Sequence, residues 1–220
     1  VANYIPIDGS ITLHAENGLA GYGPSPQLGQ EDPNLVNAGG QMVTLLPGAS
    51  FMNHSESFSV IRGGHIDLAV LGGLEVSAHG DLASWLMPGR TLGGPGGAVD
   101  LAVGASRVIV MMRHTTRNGK PKLVKECTSP LTGIRCVDMV ISDIAVIDVT
   151  NDGLVLREVA PGWSSDDVIT LTDAPLHVAT GLQEMSFAQE TPPLVNKLAH
   201  SAAEAVVDIF DGAVIMIDGF

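Results

Sequence analysis

Apolar positions in this chain come in short runs whose spacing switches between the period of a strand and that of a helix. Residues 10–14 (S-I-T-L-H) alternate as a half-buried strand does. That strand is expected to stop at a loop over 15–26, where Gly18, Gly21, Gly23, Pro24 and Pro26 disfavour regular structure. Glu16 is thereby delivered to the start of a glycine-rich turn. Residues 42–46 give the next strand, ended by Pro47-Gly48, and 55–62 read as a short helix with Ser55 as its N-cap. A buried strand over 66–71 runs into Gly72-Gly73. Between Gly80 and Gly97, eight of eighteen positions are Gly or Pro. Such a stretch predicts a long loop, and long loops inside compact domains are more often functional than idle.

Further on, residues 107–112 (R-V-I-V-M-M) are β-branched and apolar without alternation, as expected of a central parallel strand buried on both faces. Strands over 137–141, 144–149 and 154–158 follow, the last two joined by a turn at Asn151-Asp152-Gly153. Ser164-Ser165-Asp166-Asp167 opens a short helix toward Leu171. Residues 181–193 turn polar and contain a Pro pair, which predicts a linker. Beyond it, Leu194, Leu198, Ala202, Val206 and Phe210 share one helix face, and Asp211-Gly212 leads into a strand over 213–217. The pattern predicts an α/β fold: an open, largely parallel sheet with helices on both faces. One domain over 1–180 is followed by the linker and a helix-strand unit over 194–220.

Composition supports this. The 220 residues are 45% hydrophobic but only 4% aromatic and 16% charged, so the core material is Val, Ile, Leu and Ala. Disorder and fibre are excluded. The longest apolar runs, 108–112 and 213–217, fall far short of the roughly 18 residues of a membrane-spanning helix, so a soluble protein is expected. A formal net charge of -13 argues against nucleic acid or an anionic membrane as the main partner. It leaves room for a small anionic ligand, because exposed charges are screened beyond about 8 Å. Cys127 and Cys136 form neither a C-x-x-C motif nor a disulfide framework, so a reducing compartment is expected, with both thiols acting as small apolar groups. Residues 1–6 carry neither the basic nor the apolar part of a signal peptide.

The familiar catalytic signatures are missing: G-x-S-x-G, the P-loop, H-E-x-x-H and paired Cys clusters. Seven His are scattered without an i, i+4 pair, so no metal site is expected. Two features remain. Glu16 ends a strand at a glycine turn, and Gly93-Gly94-Pro95-Gly96-Gly97-Ala98-Val99-Asp100 presents backbone N–H groups suited to an anion or a developing oxyanion. Plainer readings stand beside both: a solvated loop carboxylate and a tight packing turn.

An ordered set of motifs carries a family resemblance. Leu13-His14-Ala15-Glu16-Asn17-Gly18-Leu19 looks like the S-E-N-G signature of class I CoA-transferases. Asn37-Ala38-Gly39, Leu46-Pro47-Gly48-Ala49-Ser50, Ile61-Arg62-Gly63-Gly64-His65, Gly80-Asp81-Leu82-Ala83 with Trp85, and Met87-Pro88-Gly89 continue it. Gly96-Gly97-Ala98 with Asp100, and Cys127-Thr128-Ser129-Pro130-Leu131-Thr132-Gly133, complete it. Over roughly residues 1–180 the chain resembles the β, catalytic half of the succinyl-CoA:3-oxoacid, 3-oxoadipate and acetate CoA-transferases.

The resemblance implies that Glu16 attacks an acyl-CoA thioester, that a glutamyl-CoA thioester follows, and that a second carboxylic acid collects the CoA. Gly97 and Ala98 would supply oxyanion donors, and Asn17 and Gly18 would help form the CoA site. The CoA thioester is then a substrate, and no resident cofactor is implied. The implied partner is an α-type half or a second copy of the chain. The implied location is the cytoplasm, or the mitochondrial matrix in a eukaryote. Three positions depart from the pattern: Ala15 for the usual Ser, Ala20 for a larger aliphatic, and Gly40 for a common Lys. Residues 201–220 resemble the opening of an α half. They fit either a β-then-α fusion, the favoured reading, or a permuted chain whose tail fills a strand place in the sheet. An acyl-CoA hydrolase using the same glutamate and a non-catalytic partner subunit are the alternative functions.

Overall fold

The central strands are buried on both faces of the sheet, so their side chains divide between two apolar clusters. In β4 (Ile66–Gly72), Ile66, Ala69 and Leu71 belong to one apolar cluster and Leu68 and Val70 to a second. β7 (Ala105–Met111) repeats the pattern, with Val108 and Val110 in the first cluster and Ile109 in the second. The computed structural model describes residues 2–86, 94–186 and 214–217. At its centre β9 (Met139–Ile141), β7, β4, β13 (Val214–Ile217) and β1 (Thr12–Ala15) lie side by side, every neighbouring pair parallel. The expected parallel core is therefore present.

Antiparallel strands flank it on both sides. Beyond β9 come β10 (Ala145–Thr150) and β11 (Gly153–Val159), joined by the expected turn, and then β12 (Leu176–Glu184), parallel to β11. Beyond β1 come β2 (Leu19–Tyr22) and the edge strand β3 (Leu45–Phe51). A separate small sheet joins β5 (Glu75–Ser77) to β6 (Leu82–Ala83) and β8 (Leu123–Val124). Helices α1 (His54–Arg62), α2 (Ala98–Gly104) and α3 (Ser165–Thr170) place Phe58, Ile61, Leu101, Ala102 and Val168 in the first cluster. A 3-10 turn at Ala2–Tyr4 packs Ala2 against the second.

Several local expectations are corrected. The segment 15–26 is not all loop: β2 forms within it, because ladders to β1 on one side and β3 on the other outweigh the weak strand preference of its glycine. Pro47-Gly48 does not end a strand but lies inside β3, within the register shift that separates the pair Ala20/Ser50 from the pair Tyr22/Leu45. An edge strand with a bulge is where a sheet accommodates Pro. The N-cap of α1 is Asn53 rather than Ser55, with Asn53 and Glu56 in a reciprocal capping box. Residues 181–184, expected in the linker, belong to β12, where Gln183 and Glu184 pair with Glu158 and Val159. Inside the long loop 80–97, Leu82–Ala83 forms β6. The expected helix over 194–210 lies outside the described residues.

Candidate active site

β1 carries Leu13, His14 and Ala15 into the core and ends one residue before Glu16. Ala15 pairs with Leu19, so Glu16, Asn17 and Gly18 form a three-residue hairpin loop, closed by an N–H bond from Gly18 to Ala15 O at 3.0 Å. Such loops end on a residue with positive φ, and Gly18 has φ of 107°. The same glycine permits a close approach: its carbonyl accepts from Met52 N at 2.7 Å, and a Cβ here would run into the Met52 carbonyl oxygen. Asn17 donates from Nδ2 to Val36 O at 2.8 Å, tying the loop to the segment that Val36 and Met42 bridge. Gly40, at φ of 70° with its N–H on Asn37 O, closes the turn of that segment. A lysine there would need a left-handed backbone that favours glycine.

Glu16 is half-buried, and its Oε2 is withdrawn from solvent. Its carboxylate lies against the backbone of Gly97, distant in sequence. A Cβ built on Gly97 would overlap Oε2, stand 2.8 Å from Glu16 Cδ and come within 3.1 Å of Phe58 Cζ. Gly97 has φ of -79°, which any residue adopts, so glycine is required by the neighbour and not by the backbone. Ala98, fully buried, starts α2 and donates its N–H to Pro95 O at 3.2 Å, while Gly97 O accepts from Leu101 N at 2.9 Å. The structure thus brings Glu16 and Gly97 into contact and sets Ala98 one residue beyond. Asn17 and Gly18 shape the loop that holds Glu16.

The surroundings come from the two helices that precede parallel strands. α1 leads into β4 and α2 into β7, so both begin at the carboxyl end of the sheet, where Glu16 leaves β1. Sites of open α/β sheets form at this end. Phe58, on α1, makes an apolar wall, with His54 at a ring distance of 4.4 Å and the Arg62 guanidinium 5.4 Å from its ring centroid. Arg62 Nε also pairs with Asp100 Oδ1 at 2.6 Å, linking α1 to α2. Ser57, fully buried one residue before Phe58, donates from Oγ to Glu16 O at 2.8 Å. Ser57 and Phe58 carry no signal in the sequence, since a Ser-Phe pair inside a short helix matches no motif. Only the packing of α1 on the hairpin reveals them.

Competing nucleophiles are disfavoured. Burial pushes the Cys127 thiol up to about 12 and that of Cys136 up to about 11, so neither is a thiolate near neutral pH. His114 is buried between Ser142 Oγ and Thr172 Oγ1, each at 3.0 Å, with its pKa lowered to about 4 by burial. Among the described residues no group of three or more His, Cys, Asp or Glu is gathered for a metal ion.

A half-buried carboxylate packed on a glycine backbone at the carboxyl end of a parallel sheet is an arrangement suited to covalent acyl transfer. The chain belongs to the coenzyme A transferase family, whose family model matches residues 1–171. It is 51% identical over 177 residues to a subunit of the 3-oxoadipate CoA-transferase of Pseudomonas putida, covering 80% of this chain and 83% of that one. It is 48% identical over 169 residues to a subunit of the succinyl-CoA:3-ketoacid coenzyme A transferase of Helicobacter pylori, covering 77% and 82%. Against the mitochondrial succinyl-CoA:3-ketoacid coenzyme A transferase 2A of Mus musculus it is 44% identical over 186 residues, 84% of this chain but 36% of that longer one. Among solved structures, the acyl-CoA transferase YdiF of Escherichia coli O157:H7 matches the fold with a TM-score of 0.62 at 22% identity, over 80% of this chain and 35% of that chain. The family resemblance read from the motifs is borne out.

Proposed function

We propose that this chain is the catalytic half of an enzyme that moves coenzyme A between carboxylic acids, with Glu16 as the nucleophile. The observation that carries the reading is the seat of the Glu16 carboxylate, held at the first position of a tight hairpin loop and pressed on Gly97, where no side chain fits. Glu16 attacks the thioester carbonyl of an acyl-CoA. The tetrahedral oxyanion collapses with cleavage of the C–S bond, leaving a mixed anhydride on Glu16 and a CoA thiolate. The thiolate then attacks the glutamyl carbonyl, the donor acid departs as a carboxylate, and a glutamyl-CoA thioester remains. An acceptor carboxylate takes the CoA by the reverse sequence. No redox step or resident cofactor is called for.

A carboxylate has little intrinsic drive against a thioester, so positioning must supply much of the rate. Well-oriented intramolecular reactions gain about 7–11 kcal/mol in this way. Gly97 and Ala98 are assigned as the oxyanion donors. The Ala98 N–H, now on Pro95 O at 3.2 Å, is transferred to the oxyanion when it forms, because a charged acceptor outcompetes a neutral carbonyl. Asn17 and Gly18 keep the loop in register for CoA to enter.

The bacterial relatives are each named as one subunit of such an enzyme, and this chain is correspondingly assigned an α-type partner that completes the cleft. Its place is the cytoplasm, or the mitochondrial matrix in a eukaryote; among the described residues no helix is long and apolar enough to cross a membrane. The assay is succinyl-CoA with acetoacetate, 3-oxoadipate or acetate as acceptor, products being separated with and without the acid. New acyl-CoA formed only with an acceptor is expected. CoA released equally without one would instead identify a hydrolase, and no turnover in either case would favour the non-catalytic subunit.

A further inference from the structure

Two buried groups beside Glu16 have no part in the chemistry above. Ser57 is fully buried, and its Oγ has two neighbours: Glu16 O at 2.8 Å and His14 Nε2 at 3.3 Å. His14 is 1% exposed and sits on β1 two residues before Glu16. Burial lowers the pKa of His14 below its ordinary value, so the ring is neutral at physiological pH. A serine hydroxyl has one proton, and a carbonyl oxygen can only accept. The Ser57 proton therefore goes to Glu16 O. The proton between Ser57 and His14 must then come from the ring, which fixes the Nε2–H tautomer. His14 Nδ1 is left as the bare nitrogen, buried without a hydrogen-bond partner among the described residues.

The resulting relay runs from His14 Nε2–H to Ser57 Oγ–H to the carbonyl of Glu16. It joins β1, α1 and the hairpin loop at one peptide plane. Fixing the Glu16 carbonyl fixes the Glu16–Asn17 peptide, and with it the direction in which the carboxylate leaves the chain. The next residue of α1, Phe58, packs beside the Gly97 position that receives this carboxylate. One turn of helix thus sets both the origin and the wall of the nucleophile's path. We propose that Ser57 and His14 are positioning residues for Glu16, holding its main chain in attack geometry through a directed hydrogen-bond relay without touching substrate.

This inference rests on Glu16 being the nucleophile, and its failure can be told apart from failure of that reading. The experiment compares the full-length wild-type chain, in its assembled form, with Ser57→Ala, His14→Gln and His14→Leu, using succinyl-CoA and acetoacetate. Wild type that formed no CoA adduct on Glu16 would remove the underlying reading. With an active wild type, Ser57→Ala should lower kcat roughly 10- to 100-fold, since small displacements of an attacking group are costly, and leave KM for succinyl-CoA nearly unchanged. Single-turnover formation of the Glu16 adduct should slow in parallel. His14→Gln, whose amide nitrogen takes the place of Nε2 as a neutral donor, should retain most of the activity. His14→Leu, of similar bulk but without a donor, should behave like Ser57→Ala. A folded Ser57→Ala with wild-type kcat overturns the proposal, as does a melting loss with normal turnover of the folded fraction. Should Ser57→Ala fail to fold, the two His14 variants decide: equal kcat in both refutes the relay.

Discussion

At the scale of single residues, the two glycines of the site are needed for different reasons, and the difference is measurable. Gly97 has an ordinary backbone but no room for a Cβ beside Glu16 and Phe58. Gly97→Ala is therefore expected to displace the carboxylate and lower turnover by on the order of 10²-fold, with little change in thermal midpoint. A loss of stability with normal turnover of the folded fraction would make Gly97 a packing turn only. Gly18 combines φ of 107° with close contact to the Met52 carbonyl. Gly18→Ala should destabilise the fold by about 1–3 kcal/mol, read from the denaturant midpoint. Glu16 and Gly97 were legible in the sequence, one through its strand-to-turn junction and the other through a run of glycines. That they touch was not, because their pairing depends on how α1 and α2 approach β1. Ser57 and His14 were illegible, since a lone helix serine and a lone strand histidine carry no spacing signal.

At the scale of elements, strands buried on both faces announced themselves as unbroken apolar runs, and β4 and β7 lie where those runs fall. β2, β12 and most of β3 did not: β2 is four residues interrupted by Gly21, β3 contains Pro47-Gly48 beyond the expected end of its strand, and β12 is mostly exposed. The strands of the small sheet, two or three residues long, are too short to show a period. The capping of α1 gives a direct check. Asn53→Ala should cost about 1 kcal/mol in chemical denaturation, while Ser55→Ala should fall within about 0.5 kcal/mol of wild type. His114 links the segment after β7 to Ser142 and Thr172 and is held neutral by burial, with nearby Asp143 opposing the shift. Its pKa is about 4 in the fold against 6.5 unfolded. The unfolded chain therefore gains a proton that the folded one refuses between these values. Its contribution is complete above about pH 6.5 and is lost as pH falls toward 4, by as much as about 3 kcal/mol. Stability curves of His114→Gln should lack that acid slope. An unchanged slope would mean that another group causes it.

At the scale of the whole molecule, the α/β class and the parallel centre followed from pattern and composition, whereas strand order did not. β13 joins the two halves of the sheet, pairing with β4 on one side and β1 on the other. The sequence left its segment open between a fusion and a permuted arrangement, because the place of a strand in a sheet is decided by partners far away in the chain. Ending the chain after Ser186 should then leave β1 and β4 without a common neighbour, and cooperative unfolding should be lost or the protein should aggregate. An undiminished melting transition would show that β13 is dispensable. The proposed chemistry turns on Glu16. The most direct measurement incubates the protein with succinyl-CoA without acceptor, reduces any thioester with borohydride, and maps the modified peptide by mass spectrometry. The predicted result is CoA attached at Glu16 before reduction, an alcohol at that position after it, and neither in Glu16→Gln. A label on a different carboxylate, or wild-type exchange by Glu16→Gln shown free of deamidation, would contradict it.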